Sequence, residues 1–205
     1  MLLMGGVAYT QLAQIEELAS GVEARTAPGL YYGTQIMLAS LADYSLLQAQ
    51  VIENDPAAIR AVEAEIQDNR AKLDGLNTKY QSVLHDAKGR ENLQAIEKLR
   101  APYLVAFEQV HELAQHTEIP PELRPLVHSK LRPAFEKLMA ALQTMVEADK
   151  ADLDSATKSV VASAGTATNG IRASLAVALL LAVASGYLLL RAITRPLERL
   201  VSVIE

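Results

Sequence analysis

Apolar residues recur every three or four positions through most of the chain, the spacing that places side chains on one face of an α-helix. The most regular run lies within residues 57–85, where intervals of three and four alternate without interruption. Its members are Ile59, Val62, Ile66, Asn69, Leu73, Leu76, Tyr80 and Val83. This spacing predicts a helix that packs against other helices at shallow angles. Asn69 is the polar member, and a polar residue there more often fixes the register than binds a ligand.

The same periodicity predicts three further helices, over residues 10–53, 89–117 and 121–172. In chain order these are the first, third and fourth helices, and the helix within 57–85 is the second. The positions that keep the spacing are Leu30, Thr34, Met37, Leu41, Tyr44, Gln48 and Val51 in the first helix, Ile96, Leu99, Tyr103, Phe107, Val110 and Leu113 in the third, and Leu131, Phe135, Leu138, Leu142 and Met145 in the fourth. The two outer helices are longer than the two central ones. Four helices joined by short turns predict an all-α, up-down four-helix bundle in which a central hairpin packs on two long helices.

Turn signals separate the predicted helices. Asp55 is typical of a helix N-cap and Pro56 of the first helical position. Residues 86–89 are expected to form the second turn and residues 117–121 the third, because proline cannot continue a helix. The irregular points expected within helices are a local break at residues 25–29 and kinks at Pro102 and Pro133.

A different pattern occupies residues 173–190, which contain no charged side chain. At about 1.5 Å per residue, such a helix is long enough to cross the apolar core of a bilayer. Tyr187, Arg172 and Arg191 suit the two membrane interfaces. Residues 1–9 are also apolar, but they are too few to span a bilayer. We expect them to be the end of a first transmembrane helix.

These patterns divide the chain into a transmembrane remnant at 1–9, a bundle domain at 10–172, a transmembrane helix at 173–190 and a further segment at 191–205. Both long helices of the bundle are expected to continue into the membrane. Three basic residues follow the span and two lie in the twenty residues before it. This difference favours a cytoplasmic C-terminus.

Composition narrows the classes of function. The net charge of −5 argues against a broad nucleic-acid surface, which needs a basic stripe. The chain has no cysteine, which excludes a disulfide framework and a cysteine metal site. His111 and His116 are five residues apart, a spacing that does not align them on one helical face, so we predict no metal site. No phosphate loop, nucleophile elbow or paired catalytic carboxylates occur, and we predict neither an enzyme nor a cofactor.

Residues 191–201 read Arg-Ala-Ile-Thr-Arg-Pro-Leu-Glu-Arg-Leu-Val. This closely resembles the entry of a HAMP domain, R-x-I-T-R-P-L-x-x-L, and Pro196 is expected to begin a new helix there. With a four-helix bundle between two membrane segments, the whole chain resembles the N-terminal half of a methyl-accepting chemotaxis protein. The residues at 191–205 would then be the start of a truncated HAMP domain.

This resemblance implies a homodimer in the inner membrane, surrounded by membrane lipid, with its bundle on the periplasmic or extracellular side. The bundle would bind a small molecule or a periplasmic binding protein. Ligand binding would shift the fourth helix, and Arg195, Pro196 and Leu197 would help to transmit that shift to HAMP. The alternatives are a structural stalk that binds no ligand, and the sensor half of a histidine kinase or of a cyclic-dinucleotide enzyme. Histidine kinases and cyclic-dinucleotide enzymes use the same N-terminal arrangement.

Candidate ligand residues lie near the turn end of the bundle. Arg124, His128 and Arg132 recur at four-residue spacing and are expected to share one face near a helix N-terminus, where a carboxylate would suit them. Tyr44 and Gln48 of the first helix are expected to complete this site. The alternative is a solvated cationic face, or surface pairing with the glutamates at 118 and 122.

Overall fold

The computed structural model describes residues 2–84, 87–115 and 120–201, with side chains for these residues outside 2–5, 7–8 and 192–201. The described residues form helices and short turns, and no β-strand occurs among them. Four long helical stretches make up the chain, which confirms the predicted all-α four-helix bundle. The expected turns at 86–89 and 117–121 lie partly outside the described residues. His85, His116 and Glu118 lie wholly outside them.

The helices follow one another in a simple order. They are α1 (Leu2–Gly21), a π-helical segment π1 (Val22–Thr26), α2 (Ala27–Ile52), α3 (Pro56–Val83), α4 (Ala87–Ala114), α5 (Leu123–Leu126), a second π-helical segment π2 (Val127–Leu131) and α6 (Arg132–Val201). Asp55 caps α3 as predicted, because its side chain accepts a hydrogen bond from the Ala57 amide at 2.9 Å.

Two compact units divide the chain. One is Ser20–Thr157, which contains the packed core; the other combines Met1–Ala19 with Lys158–Glu205. In the second unit the Gln11 side chain lies beside Gly170, where a Cβ atom would come within 3.5 Å of it. The most apolar 18-residue window of α6 has a mean hydropathy of 2.3, and its side chains are not buried. By length and composition, α6 is therefore able to cross a membrane.

The core confirms the predicted stripes of three helices and corrects that of α2. Every predicted position of the fourth helix is buried, from Leu131 to Met145. In α2 the predicted Leu41 and Gln48 are exposed instead. The residues that α2 buries are Gly29, Gly33, Ile36, Ala39, Ser40, Asp43, Leu47 and Gln50. Because most of these are small or polar, a stripe defined by hydrophobicity alone fell on the neighbouring face.

Polar contacts hold α2 against its neighbours. Asn69 of α3 donates a hydrogen bond from Nδ2 to the Ala39 carbonyl of α2 at 2.9 Å, as expected of a residue that fixes the register. Gly33 lies so close to α6 that a Cβ atom there would be 2.9 Å from Asp149 Oδ2. That carboxylate accepts a hydrogen bond from the Tyr80 hydroxyl at 3.0 Å. Glycine at position 33 therefore permits the contact between α2, α3 and α6.

The expected break at residues 25–29 and the expected kink at Pro133 are both π-helical segments. π1 ends at Thr26 and π2 at Leu131, each two residues before a proline. A proline ring clashes with the carbonyl four residues earlier and provides no amide hydrogen. A π-helical turn, with its i→i+5 bond, takes up one extra residue and relieves this conflict without ending the helix. Pro102, by contrast, lies inside α4, which is assigned as one α-helix.

One further expectation is wrong. No new helix begins at Pro196, because α6 continues from Arg132 to Val201. Proline removes one hydrogen bond from a helix, but it does not end the helix when the residues on both sides are helix-forming.

Candidate functional site

A polar groove of about 330 Å³ lies where α2 meets π2 and the start of α6. Its lining residues are Tyr44, Gln48, Val127, His128, Arg132, Phe135 and Glu136. It therefore brings together Tyr44, Gln48, His128 and Arg132, four of the five ligand residues named from the sequence. We refer to it as the polar groove.

Arg124, the fifth predicted residue, is exposed and does not line the polar groove. Arg124, His128 and Arg132 would share one face if residues 124–132 formed an uninterrupted α-helix, in which residues four apart lie on the same side. π2 interrupts that register between Val127 and Leu131, and Arg124 lies before it, outside the groove that His128 and Arg132 line. The proline at 133 was the signal for this shift.

An aromatic stack forms one wall of the polar groove. The rings of Tyr44 and Phe135 have centroids 3.9 Å apart and lie within 6° of parallel. The stack joins α2 to α6, with Tyr44 half-buried and Phe135 buried. The groove therefore has a flat, rigid aromatic wall beside its charged side chains.

Arg132 provides the positive charge of this groove. It pairs with Glu136, which the sequence analysis did not name. Its Nε donates a hydrogen bond to Glu136 Oε1 at 2.9 Å, and both side chains are 60% exposed. The hydrogen bond to Glu136 also raises the pKa of Arg132. The i,i+4 spacing of Arg132 and Glu136 was the available signal. Because an exposed pair of this kind is weak, an incoming anion is able to compete for the guanidinium group.

An apolar groove of about 460 Å³ lies beside the polar one. Its lining residues are Ser45, Leu47, Gln48, Ala49, Val51, Ile52, Val127 and Leu131. Gln48 and Val127 line both grooves. A molecule with a polar head and an apolar body would thus find both kinds of surface side by side.

A family model described as a four helix bundle sensory module for signal transduction matches residues 1–164. The chain belongs to this family of sensory modules. Among curated proteins, none matches the sequence. The family match supports the resemblance to the sensor domain of methyl-accepting chemotaxis proteins, and it covers the packed core and both grooves.

The core of the sensory module contains an ion pair that the sequence patterns did not indicate. Asp43 of α2 is 1% exposed, and its Oδ2 accepts a hydrogen bond from the Tyr103 hydroxyl at 3.0 Å. Arg70 of α3 approaches Asp43 Oδ1 with its Nε at 3.8 Å, and its guanidinium carbon lies 4.3 Å from the centre of the Phe107 ring. The other end of Arg70 pairs with Glu108 of α4. This network joins three helices of the sensory module.

Burial dominates the electrostatics of this network. It raises the pKa of Asp43 above its ordinary value of 3.8, although the Tyr103 hydrogen bond and the Arg70 charge act in the opposite direction. Burial and the neighbouring Asp43 carboxylate likewise raise the pKa of Tyr103. Asp43 Oδ1, Arg70 Nε and Arg70 Nη2 are buried and make no hydrogen bond within the described residues. The stability of the sensory module therefore depends on keeping these two charges together.

Proposed function

We propose that this sensory module is the input half of a chemoreceptor-type transmembrane receptor, which binds a small ligand outside the membrane and passes a helix shift to a HAMP domain. The observation that carries this proposal is the polar groove, where residues from two distant parts of the sequence converge beside an apolar groove.

The ligand that fits best is a small organic anion with an apolar or aromatic body. Its carboxylate would meet Arg132, with His128 and Gln48 as further polar contacts. Its body would lie on the Tyr44–Phe135 stack or extend along Val127 into the apolar groove. Glu136 has to yield the Arg132 guanidinium, which limits the affinity of a simple anion and favours a ligand with apolar surface to bury.

A homodimer is the assembly that we propose. The exposed face of α2 carries residues at intervals close to a heptad repeat: Tyr31, Leu38, Leu41, Ser45, Gln48 and Ile52. Such spacing suits a partner helix that packs at a shallow angle. Gln48 and Ile52 belong to this face and also line the grooves, so a second subunit would lie next to the ligand.

Signal transmission in this proposal runs along α6. Arg132 and Phe135 of the polar groove and the charge-free residues 173–190 belong to one helix, Arg132–Val201. A shift of its first turns on ligand binding would be passed along this helix towards the membrane segment. Arg195, Pro196 and Leu197 would then act at the entry to HAMP; their side chains lie outside the described residues. Placement in the inner membrane, with the bundle on its outer side, belongs to the same proposal.

The test is a thermal-shift screen of the full chain in detergent against aliphatic and aromatic carboxylates, amino acids and neutral aromatic compounds. A ligand of the native state at about 100 times its Kd stabilises the fold by about 2.7 kcal/mol. We expect a dose-dependent rise in melting temperature with a carboxylate that carries an apolar body. If no compound raises the melting temperature, the ligand-free stalk becomes the better account of the bundle.

Groove variants give the corresponding prediction. Arg132→Gln should weaken binding of that carboxylate roughly tenfold or more, because it removes a charge-assisted contact. Tyr44→Leu should also weaken it by removing one ring of the stack. Arg124→Gln is the matched control, since it changes an exposed arginine eight residues away that does not line the groove. Isothermal titration of the three variants checks this, and equal affinities for Arg132→Gln and Arg124→Gln would place the ligand elsewhere.

A further inference from the structure

A second cluster of polar side chains is buried between α2, α3 and α4, away from the Arg132–Glu136 pair. His111 of α4 lies at the centre of this cluster and is 7% exposed. Its Nδ1 lies 2.7 Å from Gln50 Oε1 of α2, and its Nε2 lies 2.9 Å from Glu63 Oε2 of α3. The same Nε2 is 3.1 Å from the amide nitrogen of Gln115, one turn further along α4.

The Gln50 amide determines whether Nδ1 of His111 donates or accepts a hydrogen bond. Gln50 Nε2 donates to Glu63 Oε2 at 3.5 Å, which fixes the orientation of the Gln50 amide and turns its oxygen towards the ring. Nδ1 therefore carries a hydrogen and donates it to Gln50 Oε1. With the amide flipped, the Gln50 oxygen would instead face the Glu63 carboxylate, and both would be acceptors.

Nε2 faces two groups that need opposite states of the ring. The Glu63 carboxylate only accepts hydrogen bonds, and it already accepts them from Gln50 and Gln67. Its 2.9 Å contact with Nε2 is favourable when Nε2 also carries a hydrogen and the ring is positively charged. The Gln115 amide nitrogen only donates, so it is satisfied when Nε2 has a free lone pair and the ring is neutral. One nitrogen cannot serve both partners at once.

We propose that the sensory module has a second input, the proton, which His111 reads by exchanging the partner of its Nε2. In the protonated state Nε2–H donates to Glu63 and ties α4 to α3. In the neutral state Nε2 accepts a hydrogen bond from Gln115 within α4, and Glu63 turns towards solvent. Histidine is the side chain whose ring nitrogens act either as two donors or as one donor and one acceptor, depending on a single proton.

The surroundings of His111 leave Glu63 as its charged partner among the described residues. α2 contributes the neutral Gln50, and α4 contributes Gln115 and the Phe107 ring at 6.0 Å between centroids. In π2, Lys130 contacts Gln109 and His128 lines the polar groove. α5 also packs against α4 and contributes the exposed Arg124. Arg70 and Glu108 pair with each other one helical turn away. The ion pair with Glu63 therefore decides the preference of the charged ring.

The position of the cluster couples it to the ligand site. Gln50 lies on α2 between groove residues Ala49 and Val51. α4 packs against π2, which contributes Val127 to both grooves. A change in how α4 is tied to α2 and α3 is thus adjacent to the residues that hold the ligand. This coupling rests on the proposed function, whereas the exchange of partners does not.

The test is a pH titration of the full chain in detergent, labelled with ¹⁵N at histidine and followed by NMR. His111→Gln identifies the His111 signal by removing it. We expect the neutral ring to be the Nδ1–H tautomer. Glu63→Gln should lower the proton affinity of His111 roughly tenfold, because the charged ring loses its partner. Gln115→Leu should raise it roughly fivefold, because the neutral ring loses its donor.

Glu112→Gln is the matched control, since it removes the same charge from an exposed position next to His111. We expect it to change the proton affinity less than about twofold, as a screened surface charge would. The opposite directions of the Glu63 and Gln115 variants are the decisive feature. An Nε2–H neutral tautomer, a lowered affinity in Gln115→Leu, or equal effects of Glu63→Gln and Glu112→Gln would each overturn the proposal. None of these outcomes depends on a ligand in the groove.

Discussion

Phe107→Ala should lower the free energy of unfolding by about 4 kcal/mol, a typical cost of removing a fully buried phenylalanine side chain. Phe107 is 0% exposed and packs edge-on against Tyr103, with ring centroids 5.9 Å apart. Its other face supports the Arg70 guanidinium at 4.3 Å. The substitution therefore opens a cavity and also removes the surface that holds a buried charge.

Thermal unfolding of the full chain in detergent, followed by circular dichroism, measures this effect. The expected fall in melting temperature is roughly 8–16 °C for a protein of this size. Val105→Ala is the matched control on the same helix, because Val105 is 61% exposed and should change stability by less than about 0.5 kcal/mol. Similar losses for the two variants would show that α4 does not pack as described.

Arg70→Met should be the next most damaging change, at about 3 kcal/mol, because it leaves the buried Asp43 carboxyl without its positively charged partner. Methionine keeps most of the volume, so the loss reports on charge rather than on packing. Asp43 Oδ1 already lacks a hydrogen bond within the described residues, and the Arg70 guanidinium at 3.8 Å is the positive charge beside it. Restoring charge balance with Asp43→Asn in the Arg70→Met background should recover much of the lost stability, which denaturant unfolding of both variants checks.

The pH dependence of this network has a definite sign. Since burial raises the folded-state pKa of Asp43 above 3.8, the folded chain binds this proton more tightly than the unfolded chain does. The corresponding stability is fully present below pH 3.8 and is lost as pH rises through the raised pKa. The unfolding free energy of the parent chain, minus that of Asp43→Asn, should therefore fall with rising pH from about 4 upwards. A difference that rose with pH would mean that the Arg70 charge outweighs burial.

Apolar periodicity predicted the fold because three of the helices bury large residues at regular intervals. The stripe of the fourth helix, for example, is buried at every predicted position from Leu131 to Met145. α2 could not be read in the same way. It buries Asp43 and Gln50, whose burial depends on Tyr103 and His111 about sixty residues away in sequence. No local pattern indicates that a polar residue will meet such a partner.

The candidate site was predictable to the extent that it lies on regular helix. Tyr44 and Gln48 are one turn apart on α2, and the sequence placed them on one face correctly. Arg124 was misplaced because π2 interrupts the α-helical register before Arg132. Glu136 was not predicted because only cationic residues were considered as partners of an anionic ligand. Its carboxylate beside Arg132 weakens the attraction of the guanidinium for such a ligand. Each π-helical segment ends two residues before a proline, but Pro102 lies in an uninterrupted α-helix, so a proline alone does not distinguish the two cases.

In the proposed function, a ligand in the polar groove changes the output of the receptor through α6. The most direct measurement joins residues 1–205 in frame to the HAMP and kinase-control domains of a characterised chemoreceptor and follows kinase activity. With the carboxylate found in the screen, we expect a dose-dependent change in kinase activity that persists in Arg124→Gln and is lost in Arg132→Gln. An output that stays constant while the ligand binds, or a response that survives Arg132→Gln unchanged, would contradict the account.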